Sequence, residues 1–302
     1  HNGLTLLCEK LSYKKDKVDI SNYSVVNGCQ SLTSLYEHRG KVTDELRLMA
    51  RLIELPPGSA MADKITHHSN NQNPINARDL QSNSTIQRRL QNEFSELFKG
   101  AIFYRIKRGE ADQASLNIDN DEAGRLLLAF DLKQPSTCHQ SYKILDELHG
   151  DIYARPEVNA HRILAIYEIS SKVIDDLVGI ENGMLASYRL TRYFLMYLVR
   201  LALELDEKGR DFCENPQPYI EATKGRERLK SSIDPVIKDL VIDLNAEVRE
   251  RAEAGSPFDF KRELKSPNAI RELGRSIIAN YQKSVIRGRA YAFGTEWDSF
   301  EK

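Results

Sequence analysis

Three short polar stretches of this 302-residue chain have the residue types and spacing that chemistry needs. The first, Val25-Val26-Asn27-Gly28-Cys29-Gln30-Ser31, reads as strand, turn and helix start. Gly28 permits a positive φ, and amides at a helix start are unpaired, a common seat for a phosphate or other anion. An ordinary strand–helix connection has the same pattern. The second, Ser69-Asn70-Asn71-Gln72-Asn73-Pro74-Ile75, holds four consecutive carboxamides. Ordering them is costly unless they bond backbone, a base edge or a phosphate; a solvated loop is the competing reading. The third, Tyr104-Arg105-Ile106-Lys107-Arg108, sets an aromatic beside three cations. That suits stacking plus phosphate contact, and an exposed strand end would also fit.

Familiar catalytic patterns are missing. The chain has no phosphate loop, no Gly-x-Gly-x-x-Gly, no Gly-x-Ser-x-Gly and no His-Glu-x-x-His. Adjacent His67 and His68 would point about 100° apart on a helix, so they do not share a metal easily. Metal-dependent cleavage needs clustered carboxylates. Near the three stretches only Asp79, Glu93 and Glu96 are available, and Glu93 and Glu96 read as a solvated helix face. No catalytic residue, metal site or cofactor is assigned, and whether the chain is an enzyme stays open. Cys8, Cys29, Cys138 and Cys213 are far apart without a Cys-x-x-Cys pair, which points to reduced, mostly buried thiols in a cytoplasmic protein.

The elements that must position these stretches alternate at first and then become uniform. Apolar runs at Leu4–Leu11 and Ile20–Val26 read as strands, and Leu32, Leu35 and Tyr36 share one helical face. Leu46, Leu48, Ala50 and Leu52 alternate with polar residues, which predicts a half-buried strand over 46–52. Ser84-Thr85-Ile86-Gln87 fits a capping box, and Ile86, Leu90, Phe94, Leu97 and Phe98 form a stripe closed by Gly100. Ala101–Arg105 reads as the next strand.

From about Asp119 strand signals cease. Helices are predicted over Asp121–Leu132, His139–Leu148, Ala160–Leu177 and Leu185–Leu205, the last apolar on most sides and so central. Two more are predicted, one with Pro235 at its first position and one from Pro267. The fold class is therefore α+β: a mixed α/β unit with a small sheet over residues 1–110, then an all-helical part over 111–302.

Composition bounds the partners. With 43 Lys+Arg against 44 Asp+Glu the net charge is −1, which excludes a surface coated for non-specific DNA binding but leaves local basic patches open. The longest dense apolar run, Tyr193–Val199, is too short and too closely flanked by arginines to span a bilayer.

The order of the motifs is more specific than any one of them. Asn-Gly-Leu-Thr-Leu-Leu at residues 2–7 comes first, then Val-Val-Asn-Gly-x-Gln-Ser. Ser-Asn-x-Gln-Asn-Pro-Ile follows with Asp79-Leu80 close behind, then Phe-Tyr-Arg-x-Lys-Arg-Gly. This order resembles the AIPR family, bacterial proteins named for abortive-infection phage resistance. The resemblance covers about residues 2–150, with Ser31 and Ser69 where the family usually carries Thr. A further stretch precedes the Asn-Gly-Leu-Thr segment in family members, so the chain is expected to lack an N-terminal part.

The resemblance implies an antiviral defence protein whose motif residues line a polar pocket. In the leading reading it recognises nucleic acid or nucleotide phosphates. Asn27, Gly28 and Gln30 supply turn amides and carboxamides, and Asn70, Gln72 and Asn73 read a base or sugar. Asp79 stands close by, Tyr104 stacks, and Arg105 and Lys107 neutralise phosphate. Two alternatives are a metal-dependent nuclease with acids partly outside this chain, and a scaffold whose helical part docks a toxin or other partner protein.

Overall fold

A computed structural model describes residues 3–15, 17–43, 45–57, 59, 61, 62, 65, 85–106 and 114–300. The chain divides into two compact units, His1–Ala77 and Arg78–Lys302. In the first, β1 (Leu4–Lys14) and β2 (Lys17–Asn27) form an antiparallel hairpin, and β2 leads through Gly28 into α1 (Cys29–Glu37). Strand β3 (Ala50–Glu54) pairs parallel with β1, from Leu4 opposite Ala50 to Cys8 opposite Glu54, giving the order β2-β1-β3. The small core of this unit is Leu6, Leu7 and Cys8. Past Cys8 the hairpin has no third strand among the described residues, and Tyr13 and Val18 near its tip are exposed.

The strand predicted over 46–52 is shifted. Leu46 and Ala50 are exposed, and the ladder starts only at Ala50, because its partner β1 begins at Leu4 and the Leu4 amide donates to the Met49 carbonyl (2.8 Å). Alternation set the period, but the available partner set the start.

In the second unit α2 (Thr85–Phe98) precedes β4 (Ile102–Arg105), which pairs parallel with β5 (Leu116–Asp119). This pairing joins residues on both sides of residue 110, and α2 and β4 lie in the unit Arg78–Lys302 with the helices. Two small sheets replace the single one expected. From residue 120 the described elements are helical. They begin with α3 (Asn120–Phe130), α4 (Ser141–Leu145), α5 (His149–Tyr153), α6 (Ala160–Asp176) and α7 (Gly183–Ser187). Then come α8 (Arg189–Leu203), α9 (Glu207–Glu214), α10 (Gln217–Glu221) and α11 (Gly225–Glu253). The series closes with α12 (Phe260–Glu263), α13 (Pro267–Ile286) and α14 (Phe293–Ser299).

Helix starts follow side-chain capping. Asn159, Asn182, Asp206 and Ser266 each accept from an amide of the first turn of α6, α7, α9 and α13. The predicted helix Leu185–Leu205 is broken at Tyr188, which is extended and packs on Phe260. Its main part, α8, is central as expected, with Leu195 and Leu198 fully buried.

Pro235 does not start a helix but lies inside α11. An internal proline costs about 3 kcal/mol. The continuous buried stripe Leu229, Ile233, Val236, Ile237 and Leu240 outweighs this at about 1.5–3 kcal/mol per side chain. The predicted His139–Leu148 helix shrinks to α4, and Gly150 lies inside α5.

Candidate functional site

In the first unit, Asn27 ends β2 opposite Thr5, and Gly28 takes a left-handed conformation (φ 94°, ψ 12°) at the N-terminal boundary of α1. Glycine is required there twice over. The angle is one that side chains resist, and an added Cβ would lie 2.5 Å from Leu4 Cδ2 and 3.0 Å from the Gly3 carbonyl oxygen. The expected tight turn is therefore present, and α1 starts directly behind it. The Gln30 side chain lies outside the described set, as do Asn70, Gln72, Asn73, Asp79 and Lys107.

In the second unit the carboxyl end of the β4–β5 pair carries Arg105 and Asp119, and α3 begins at the next residue. Strand alternation sends neighbouring side chains to opposite faces. Tyr104 accordingly points into the core while Arg105 stays half-buried. This corrects the expected stacking role of Tyr104. Its ring stacks on Phe94 (centroids 5.2 Å apart, planes 9°), and its hydroxyl donates to Gln87 Oε1 at 2.8 Å. Gln87 Nε2 lies 3.1 Å from His149 Nε2, and Gln91 Nε2 donates to the Tyr104 carbonyl at 3.1 Å. Burial pushes the His149 pKa down, which favours a neutral ring whose Nε2 accepts from the Gln87 amide. The fully buried Tyr153 hydroxyl donates to the Asn120 carbonyl at the start of α3. This polar chain fastens α2, β4 and α5 together inside a desolvated core.

Arg105 is paired. Its Nε lies 2.9 Å from Asp119 Oδ1, directly across the parallel register. The two side chains are 31% and 38% exposed while Arg105 Nε is itself buried, so the pair meets solvent only in part. The structure thus separates the third sequence stretch into a core anchor, Tyr104, and a partly accessible charged pair, Arg105–Asp119. Asp119 was missed because its partner lies fourteen residues away; the only signal was its place at the end of a strand and the start of a helix. Glu93, considered as a metal-binding acid, accepts from the Ala160 amide (3.0 Å) at the start of α6 and lies 3.6 Å from Arg89.

The described cysteines Cys8, Cys138 and Cys213 are free and buried. Burial pushes the Cys138 thiol far up and the Cys213 thiol up to about 12, so neither offers a thiolate near neutral pH. Among the described residues no helix is long and apolar enough to cross a membrane.

Against this geometry, the family profile described as AIPR protein matches residues 1–234, more than three quarters of the chain. The chain belongs to the AIPR family. No curated protein and no solved structure gives a match. AIPR membership supports a role in antiviral defence by abortive infection, the phage resistance for which the family is named. The profile spans the Asn27-Gly28 turn, the carboxamide stretch and the Arg105–Asp119 pair, so every candidate site residue lies in the AIPR part of the chain.

Proposed function

We propose that this AIPR-family chain serves anti-phage defence by recognising nucleic acid or nucleotide phosphates. The observation that carries the reading is Arg105, half-exposed at the carboxyl end of a parallel strand pair and followed in sequence by Lys107 and Arg108. A partly exposed ion pair such as Arg105–Asp119 is worth about 1 kcal/mol. A hydrogen bond to a charged group is worth about 1.5–3 kcal/mol, so a phosphate competes with Asp119 for the guanidinium. In the first unit, Asn27, Gly28 and Gln30 offer turn amides and carboxamides to an anion or base edge. Asn70, Gln72 and Asn73, with Asp79 behind them, read hydrogen-bonding edges instead of charge.

The test is a binding screen of nucleotides and oligonucleotides on the purified chain, with Arg105→Ala and Gln72→Ala alongside. Arg105→Ala weakens binding to every ligand, whereas Gln72→Ala alters the preference among ligands. If no nucleotide or oligonucleotide binds at low salt, the reading is wrong. A second reading, a docking scaffold, draws on the exposed apolar side chains Ile174, Val178, Met184 and Ile242 of the helical unit. In that case replacing Val178, 89% exposed, by Glu leaves nucleic-acid binding unchanged but abolishes defence in cells.

A further inference from the structure

The helical unit contains a second polar centre that the reading above does not use. Asp131, just after α3, has a side chain only 2% exposed, and three guanidiniums converge on it. Arg155 Nη2 lies 3.1 Å from Oδ2, and Arg162 Nη1 and Arg200 Nη1 lie 3.1 and 3.3 Å from Oδ1. Together with Glu157, Cys213 and Glu214 they line an open cleft of about 330 Å³.

A guanidinium has five N–H donors and no acceptor, and the three differ in how many donors are engaged. Arg162 donates to the Glu157, Cys213 and Glu214 carbonyls as well as to Asp131. Arg155 donates to the Ile152 carbonyl, Glu157 and Asp131. Arg200 donates only to Glu204 and Asp131, and its Nη2 has no acceptor among the described residues. The side chain is nevertheless just 16% exposed, with its guanidinium carbon 5.4 Å from the centre of the Phe130 ring. A guanidinium held this firmly in the wall of a cleft, with N–H donors left over, is prepared for an acceptor.

Formal charge around the cleft balances, because Asp131, Glu157 and Glu214 offset the three arginines. Glu204 is taken up by Arg200 and Lys133. What selects a ligand is therefore the surplus of donors. A cation finds Asp131 already engaged on both oxygens, whereas an acceptor-only group finds N–H donors on Arg200 and Arg155. The Cys213 thiol stays protonated and adds no negative charge.

We propose that this cleft binds a tetrahedral oxyanion, the phosphate group of inorganic phosphate or of a nucleoside monophosphate, with Arg200 as principal contact and Arg155 as second. Asp131 holds the three guanidiniums apart and aims them. The site lies within one unit and is independent of Arg105, so either assignment can fail alone.

Isothermal titration of the full chain in low-salt chloride buffer, with inorganic phosphate, adenosine monophosphate and adenosine, decides the matter. Phosphate should bind and adenosine should not. Tighter binding of the monophosphate than of the free ion identifies a nucleotide as the source; the reverse identifies the free ion. Arg200→Gln should weaken phosphate binding by about 10- to 100-fold, the loss of one hydrogen bond to a charged group. Circular dichroism confirms that the variant is folded. Should it not fold, Glu157→Gln at the half-exposed rim, which releases an Arg155 donor, should tighten binding several-fold. No heat with phosphate, adenosine binding as well as the monophosphate, or unchanged affinity in a folded variant overturns the assignment.

Discussion

Asp131→Asn perturbs the ionic centre of the helical unit with almost no change of shape. The asparagine Oδ1 can still accept from Arg162 and Arg200, but Nδ2 then faces Arg155 Nη2, donor against donor. Three buried or half-buried guanidiniums also lose their common counter-charge. Removing one partner of a buried pair costs about 3–5 kcal/mol. Arg162 keeps its carbonyl acceptors and Arg155 keeps Glu157, which places the expected loss near the lower bound, about 3 kcal/mol. At about 2–4 °C per kcal/mol for a unit of this size, the melting temperature falls by about 6–12 °C. Urea and thermal unfolding followed by far-ultraviolet circular dichroism measure it. The loss should persist at about 0.5 M salt, because a buried pair is screened far less than a surface one. A loss under about 1 kcal/mol, or one that salt abolishes, would show that the arginines are satisfied without Asp131 and refute the reasoning.

Three further substitutions address separate links. Tyr104→Phe removes the buried hydrogen bond to Gln87 Oε1 and should cost about 0.5–1.5 kcal/mol in unfolding experiments while leaving ligand affinity unchanged. Gly28→Ala forces a side chain to φ 94° against the Gly3 carbonyl and should destabilise the first unit by about 1–3 kcal/mol, read by hydrogen exchange of β1 and β2. Burial, with Asp239 nearby, pushes the Asp243 carboxyl up to about 6. The folded state therefore holds this proton to higher pH than the unfolded state, and the associated stability falls as pH rises from about 4 to about 6. Asp243→Asn should flatten that part of the urea-derived stability–pH curve and raise stability at pH 7.

The division of the chain into a sheet-bearing start and a helical remainder is legible because hydrophobic period changes near Asp119 and stays helical afterwards. Leu195 and Leu198 could be placed at the centre because α8 has too few polar positions to face water. The misplaced elements share a cause: local pattern gives a period but no partner. Leu46 and Leu48 alternate like a strand but have no ladder opposite them among the described residues, and β4 pairs with β5, which lies beyond residue 110. In the candidate site Gly28 was legible because a Val-Val-Asn-Gly-x-Gln pattern calls for positive φ. Tyr104 was misread because an aromatic beside cations looks the same whether the strand turns it in or out. The Asp131 cluster was invisible, since its members at 131, 155, 162 and 200 meet only through helix packing.

The salt dependence of oligonucleotide binding tests the central claim most directly. Each phosphate neutralised releases condensed counterions, so the slope of log affinity against log salt counts charged contacts. Wild-type binding should weaken steeply with salt, and Arg105→Ala should lower both the affinity and the magnitude of the slope, by about one contact. Because the Arg105–Asp119 pair is partly exposed, the variant should melt within a few degrees of wild type. A stable Arg105→Ala protein with unchanged affinity and slope would contradict phosphate recognition at this residue.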